Sequence, residues 1–472
     1  MPEKEKTSFY EQMKARLNTE LNTKENFDII CKDFYIGGKK SSFFFVDGFV
    51  KDDIMEKMMT LWNGVKEEDM PDDAQEIADR IITYVEVDVT EKEEEMVKGV
   101  LMGMTCLIVS GTQKAIMIDC RTYPARNVEE PEKDKVMRGS RDGFVETVVF
   151  NTALIRRRIR NPELTMQILS VGRSSNTDIV VSYMKGRADE RLLKNIIERI
   201  RNIKIDSLTM NQESLAECLH KQKWINPFPK FKYTERPDTA AASLLEGNIV
   251  ILVDNSPSAI IIPTSIFDII EEADDYYFPP VTGTYLRLSR FLITIFTLVL
   301  TPTWLLLVNN PEWLPPALEF ILPAEDINVP ILLQLFILEF AIDGLKLAAL
   351  NTPNMLSTPL SVIAGLVLGE FAVSSGWFNS ESMLYMAFVA LANYSQASFE
   401  LGYALKFMRM IMLLLTALFG LAGYIAAYVL VIFATVSNKT LSGKSYIYPL
   451  VPFNAKEIVR KFFRVSLPKS EK

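Results

Sequence analysis

Two kinds of hydrophobic patterning divide this chain. Up to about residue 290, apolar positions recur at strand or helix periods between charged stretches. From Phe291 to Val436 they run on in long blocks. In the first regime Met1 to Glu25 is a charged lead-in, loose or helical. Ser42 to Val50 is β-rich, and Asp53 to Trp62 continues as a helix. Ile77, Ile81, Ile82 and Val85 give helical spacing within Pro71 to Val85, and Glu94 to Met102 is a further helix. Thr105 to Val109 and Ala115 to Ile118 form two strands around a Ser110-Gly111 turn. Asn211 to Lys223 is helical, Trp224 to Tyr233 is a link rich in proline and aromatics, and Asp238 caps the helix that follows.

The hairpin recurs. Leu101 to Asp119 aligns without a gap on Leu245 to Pro263 at a constant offset of 144, with Gly103 on Gly247 and Ala115-Ile116 on Ala259-Ile260. A helix precedes each copy. The earlier strand-then-helix also recurs, with Asp52 to Leu61 echoed by Asp189 to Ile200. Two tandem related α/β subdomains are the simplest explanation. Gly103 and Gly247 read as turn glycines.

The apolar blocks read as membrane spans: Phe291 to Val308, Ile331 to Leu350, Leu360 to Phe378, Met383 to Leu405 and Met410 to Val436. The last is long enough to tilt or break near Gly420 and Gly423. Arg287 and Arg290 precede the first span, so the positive-inside rule makes the α/β part cytoplasmic. Five spans would leave the tail outside, although it carries eight basic residues against two acids. A re-entrant segment, or a short extra one around Pro316 to Pro323, would return it to the cytoplasm. The expected division is a lead-in at 1–25, α/β subdomains at 26–137 and 138–288, a polytopic α-helical membrane domain at 289–436 and a basic cytoplasmic tail at 437–472. Ala455 to Val465 in that tail is basic and amphipathic and suits an anionic membrane surface.

Composition sharpens this picture. The mean hydropathy of +0.12 averages two unlike regions. Between Phe291 and Val436 the only bases are Lys346, Lys406 and Arg409, and acids exceed them. Glu339, Asp343 and Lys346 share one face of the second span by their spacing. A charge at the bilayer centre costs at least ~2.5 kcal/mol, so this stripe requires a partner helix, an aqueous path or mutual pairing such as Asp343 with Lys346. Glu370 and Glu400 are single acids on later spans, and Asn393, Ser395, Gln396 and Ser398 form a polar stripe. If such groups line a path, the acid excess favours cations. Glu339, Asp343, Lys346, Glu370 and Glu400 are the candidate ion-path residues. Gly365, Gly369, Gly420 and Gly423 suit close helix packing.

The α/β part shows no phosphate loop and no nucleophile elbow. One histidine, His220, supports neither a catalytic triad nor a histidine metal site. The cysteines Cys31, Cys106, Cys120 and Cys218 make no CxxC pair, as expected of idle thiols in a reducing compartment. An enzyme, a cofactor, a metal site and a nucleic-acid partner are not expected. The charged N-terminus lacks an apolar core, so insertion would rely on internal spans.

One stretch is distinctive. In Arg138 to Arg160, Phe144, Val148, Asn151, Ile155 and Ile159 mark one helix face. Ser140 and Asp142 suit its start, Asn161-Pro162 its stop, and Arg156, Arg157, Arg158 and Arg160 crowd its last turn. The candidate coupling residues are Arg138, Arg141, Glu146, Asn151 and those four arginines. They would form a helix that meets acidic groups of another domain or subunit, or simply a solvated basic end. The run from Arg138 to Thr147, then Asn151 and Leu154 to Ile159, resembles the signature of the A subunits of the GerA family of spore germination proteins. The resemblance extends over roughly residues 95 to 465. Ser140 stands where that family often has proline, which alters only the local turn. The resemblance implies an oligomeric, cation-conducting channel in the spore inner membrane, gated together with a transporter-like B-type subunit. The alternative is a non-conducting scaffold that gates another germination complex, such as the one releasing dipicolinic acid.

Overall fold

The computed structural model describes residues 3–82, 85–121, 136–220, 226–351 and 372–465. Contacts divide the chain into two compact units, Met1–Gln222 with Phe231–Pro263, and Lys223–Lys230 with Thr264–Lys472.

The first unit holds two α/β halves of one design. The first half runs α1 (Glu3–Glu20), β1 (Ile29–Ile36), β2 (Lys39–Val46), α2 (Asp52–Asn63), α3 (Ala74–Ile81), β3 (Val87–Thr90), α4 (Glu93–Leu101), β4 (Thr105–Val109) and β5 (Ala115–Ile118). The second runs α5 (Val148–Arg158), β6 (Leu164–Val171), β7 (Thr177–Met184), α6 (Glu190–Arg201), α7 (Asn211–Leu219), β8 (Lys232–Thr234), α8 (Pro237–Leu245), β9 (Ile249–Val253) and β10 (Ala259–Ile262). The antiparallel sheets have orders β1-β2-β4-β5-β3 and β6-β7-β9-β10-β8, which are the same path. The tandem repeat is borne out, and it is larger than the matching hairpins.

Strand alternation explains the layering. Phe44, Cys106, Ile108, Ala115 and Met117 face one way and pack with Tyr10, Met13 and Leu17 of α1 and with Met96 and Val100 of α4. Phe43, Leu107, Val109, Ile116 and Ile118 face the other way, towards Met58 and Trp62 of α2 and Ile77 of α3. Every residue of β4, β5, β9 and β10 is buried, as both faces are covered. In the second half α5 and α8 take the places of α1 and α4, with Leu154 and Ile155 on Leu164, Val180 and Val250. The charged lead-in is thus a core helix, and the arginine-rich helix is its counterpart in the repeat. Gly103 and Gly247 turn the chain into β4 and β9 at φ +96° and +94°. A Cβ at Gly247 would meet the Arg187 carbonyl at 2.8 Å.

The second unit is helical: α9 (Ile266–Ile270), α10 (Asp274–Tyr277), α11 (Pro280–Asn309), α12 (Ile331–Asn351), α13 (Ser380–Tyr394), α14 (Phe399–Ser437) and α15 (Ala455–Phe462). Among the described residues, two helices, α11 and α14, are long and apolar enough to cross a membrane. The expected span at Leu360 to Phe378, with Gly365 and Gly369, lies outside the described residues up to 371. Pro316–Ile321 is a 3-10 helix of six residues without a buried residue, shorter than a spanning helix needs.

The last two expected spans are redrawn. The segment Met383 to Leu405 breaks after Tyr394, and Ser398 caps a new helix by accepting from Leu401 N at 3.3 Å. That helix reverses at Gly420, whose φ of 55° and ψ of −134° no L-residue adopts readily. A Cβ on Gly423 would lie 1.9 Å from the Leu415 carbonyl oxygen. In a straight helix those residues are about 12 Å apart. Met408 and Met412 therefore share a core with Ala427 and Val431 on the returning limb. The limbs of α14, about 21 and 17 residues long, form an antiparallel pair. This reversal brings the tail back to the end where α11 begins. There Arg287 donates to the carbonyls of Arg460 at 2.8 Å and Lys461 at 3.2 Å.

Candidate functional site

Helical spacing puts Glu339 and Asp343 on one face of α12, and the first limb of α14 presents Lys406 and Arg409 to them. Arg409 Nε donates to Glu339 Oε1 at 2.7 Å, and its NH1 donates to the Thr297 carbonyl of α11, also at 2.7 Å. Lys406 Nζ donates to the Glu339 carbonyl at 3.1 Å, lies 3.4 Å from Glu339 Oε2 and pairs closely with Asp343. Glu339, Lys406 and Arg409 are buried, while the Asp343 side chain keeps 32% exposure. Three helices are thus tied by one charged layer among apolar side chains. Each ion there has both a counter-ion and a hydrogen bond, which a desolvated pair requires.

Lys346 does not pair with Asp343. Its ammonium lies over the rings of Tyr403 at 4.6 Å, Phe399 at 4.7 Å and Tyr394 at 5.9 Å. It makes no ion pair among the described residues. One helical turn separates the two, and Lys406 reaches Asp343 from the facing limb. A π cage replaces the carboxylate for Lys346. Glu400 is exposed in the first turn of α14, and Glu370 lies outside the described residues. The polar stripe occupies the break between α13 and α14, where Gln396 Oε1 accepts from Thr294 Oγ1 at 3.0 Å. Lys406 and Arg409 join the site although no sequence motif marks them. Their signal was their isolation, since with Lys346 they are the only bases in the apolar stretch and cannot stay unpaired.

The arginine-rich stretch forms the second constellation. Its helix starts at Val148, not at Ser140 or Asp142, and Phe144 is buried ahead of it. Both expected capping residues are engaged elsewhere, since Arg158 NH2 donates to Ser140 Oγ at 3.1 Å and pairs with Asp142 at 2.5 Å. Asp142 is desolvated, but these bonds outweigh the burial and hold its pKa below the usual carboxylate value. Asn151 folds the preceding turn onto the helix, accepting from Val145 N at 2.8 Å and donating to its carbonyl at 2.6 Å. Asp254 accepts from Val148 N at 3.1 Å.

Arg156 is fully buried. It donates to both Asp28 oxygens, at 3.0 and 3.2 Å, and to the Leu164 carbonyl at 2.9 Å. Asp28 precedes β1 and Leu164 opens β6, so this arginine joins the two halves within one chain. Arg138, Arg141, Glu146, Arg157 and Arg160 are exposed. The Glu146 carbonyl accepts from Asn255 N at 2.8 Å, and Arg160 Nε donates to the Arg157 carbonyl at 3.2 Å.

Residues 15–472 match the Bacillus/Clostridium GerA spore germination protein family. Stage V sporulation protein AF of Bacillus subtilis (strain 168) is 38% identical over 415 residues, covering 88% of this chain and 83% of that protein. Spore germination protein A1 of the same organism is 28% identical, over 81% of this chain and 79% of that protein. The crystal structure of the N-terminal domain of the A subunit of the Bacillus megaterium spore germinant receptor GerK3 matches with a TM-score of 0.41 and 26% identity, covering 53% of this chain and 92% of that one. The resemblance seen in the Arg138 to Ile159 stretch extends over residues 15–472, and the chain belongs to the GerA family of spore germination proteins.

Proposed function

We propose that this chain is a membrane-spanning A-type subunit that acts in spore germination. Its α/β halves and tail lie on the cytoplasmic side of the spore inner membrane, and as a homo-oligomer it conducts cations. A transporter-like B-type membrane subunit is its partner in gating. The observation that carries this reading is the charged layer of Glu339, Asp343, Lys406 and Arg409 inside apolar helices. Ionisable groups at such depth face the bundle interior and mark ion pathways. Asp343 is the member with an exposed surface, and Lys346 sits one turn beyond it in its aromatic cage. The reversal at Gly420 supports the topology, since a limb returning to the α11 start keeps the basic tail with Arg287 and Arg290.

A second reading has its own support. Both acids of α12 are already neutralised within one protomer, which suits a scaffold whose helices are locked by ion pairs and which gates another complex. Cation flux through the purified full chain in liposomes, alone and with its B-type partner, separates the two when oligomer mass is measured on the same sample. Flux from the oligomer is the expected result. A well-formed oligomer that passes no cation, even with the partner, would leave the scaffold.

A further inference from the structure

The periodicity of α15 assigns its apolar face to lipid, and the structure sets one member of that face, Phe462, against protein. Phe462 packs against Phe267 and Phe291 at ring-centroid distances of 5.8 and 4.7 Å. Lys461 pairs with Asp268 and, at 3.1 Å, with Glu271. Burial opposes the charge on Lys461, yet the two carboxylates outweigh it and raise its pKa above the ordinary lysine value. Arg464 N donates to Thr284 Oγ1 at 3.1 Å, and Ile266 N donates to the Tyr446 carbonyl at 3.0 Å. The chain from Tyr446 to Arg464 is therefore stapled at both ends to the segment that leads into α11.

Between the staples, Leu450, Val451, Pro452 and Phe453 are consecutive and exposed, Phe453 by 76%. A run of four exposed apolar residues is unfavourable in water unless it has a use. Its surroundings point to the occupant. The run follows the apolar limb of α14 that ends at Ser437, and the staple after it meets Arg287, just ahead of the apolar block that starts at Phe291. Lys439, Lys444 and Lys456 are exposed around it. Tyr285, 68% exposed, and Val281, 83% exposed, lie on α11 at the same end. Aromatic and apolar side chains bordered by lysines match the headgroup level of an anionic leaflet.

We propose that Leu450 to Phe453 is an interfacial anchor that inserts into the headgroup region of an anionic lipid leaflet, held rigidly by the stapled tail. This rests on the reading of the chain as membrane-spanning, and the test separates the two. A Phe453→Cys chain carrying Cys31→Ser and Cys218→Ser is labelled with an environment-sensitive fluorophore. It is placed in phosphatidylcholine liposomes with or without phosphatidylglycerol, together with a nitroxide lipid labelled near the top of the acyl chain. Leu418→Cys, exposed near the α14 reversal, is the control in the same background.

The expected result is nitroxide quenching at both positions, with that at 453 rising at least twofold when phosphatidylglycerol is present. Quenching at 418 with none at 453 overturns the anchor and leaves the membrane reading standing. Quenching at neither position overturns both. A dry but unquenched label at 453 assigns the run to another protein chain and also overturns the anchor. Quenching at 453 that ignores phosphatidylglycerol overturns the preference for anionic lipid.

Discussion

Arg156 and Arg409 are each fully buried, and each is held by one carboxylate and one backbone carbonyl. Removing one member of such a pair costs about 3–5 kcal/mol, while replacing both by apolar residues of similar size is close to neutral. Arg156→Met should therefore lower the thermal midpoint of the full chain in detergent sharply. Asp28→Leu added to it should recover most of the loss. Arg160→Ala, at an exposed position, should change stability by about 0.5 kcal/mol or less. Equal effects at 156 and 160 would contradict the assignment of Arg156 as the internal tie. The cysteines give a second check on the same fold. Burial pushes the Cys106 thiol up to about 12, and Cys120 is also raised, whereas Cys218 is exposed. A maleimide at neutral pH should label Cys218 in the folded chain and reach Cys106 only on unfolding. Because the folded pKa of Cys106 is the higher, its share of stability is intact below about 8.5, the unfolded value, and is lost as pH rises towards 12. Labelling of Cys106 in the folded chain at the rate of Cys218 would refute this burial. The sequence showed which arginines were unusual but not which were buried, since four in one turn look alike until Asp28, far away in the chain, is brought beside one of them.

Among elements, the hairpin β4–β5 was legible to the residue because two short apolar runs around a Ser110-Gly111 turn are a local signal, and β9–β10 followed from the constant offset of 144. The edge strands β1 and β6 were not, since polar residues such as Lys32, Asp33 and Gln167 interrupt their apolar pattern at the sheet margin. The start of α5 was misplaced because Ser140 and Asp142, good capping types, bind Arg158 across sixteen or more residues. The α14 reversal was visible only as two glycines in an apolar run. Hydropathy carries no direction, so a straight helix and a hairpin read the same. Gly420→Val should oppose the reversal through its positive φ, and Gly423→Leu by collision with the Leu415 carbonyl. Sidedness of a cysteine at Ser437 is the check. In the parent sequence it should be modified from the same side as one at Val281, and in the two variants that labelling should be lost together with folded yield. A cysteine at 437 modified from the side opposite Val281 in the parent would refute the hairpin.

At the scale of the molecule, family, α/β repeat and apolar helical region were all readable in the chain, because each rests on patterns extending over many residues. The pairing inside the apolar helical region was not, because it joins α12 to a limb whose position depends on one glycine. That pairing also changes how the acids should be probed. Neutralising Glu339 and Asp343 alone would strand Arg409 and Lys406, so pairs must be removed together. The most direct measurement is the reversal potential of liposomes holding the purified chain together with the proposed B-type partner under a salt gradient, for the parent chain and for Asp343→Asn with Lys406→Gln. If the charged layer borders the path, the parent should pass cations over anions, and the double variant, still oligomeric, should shift that selectivity several-fold. A folded oligomer that conducts nothing, or whose selectivity ignores the double change, would contradict a conducting role for this layer and leave it as an ionic lock in a scaffold.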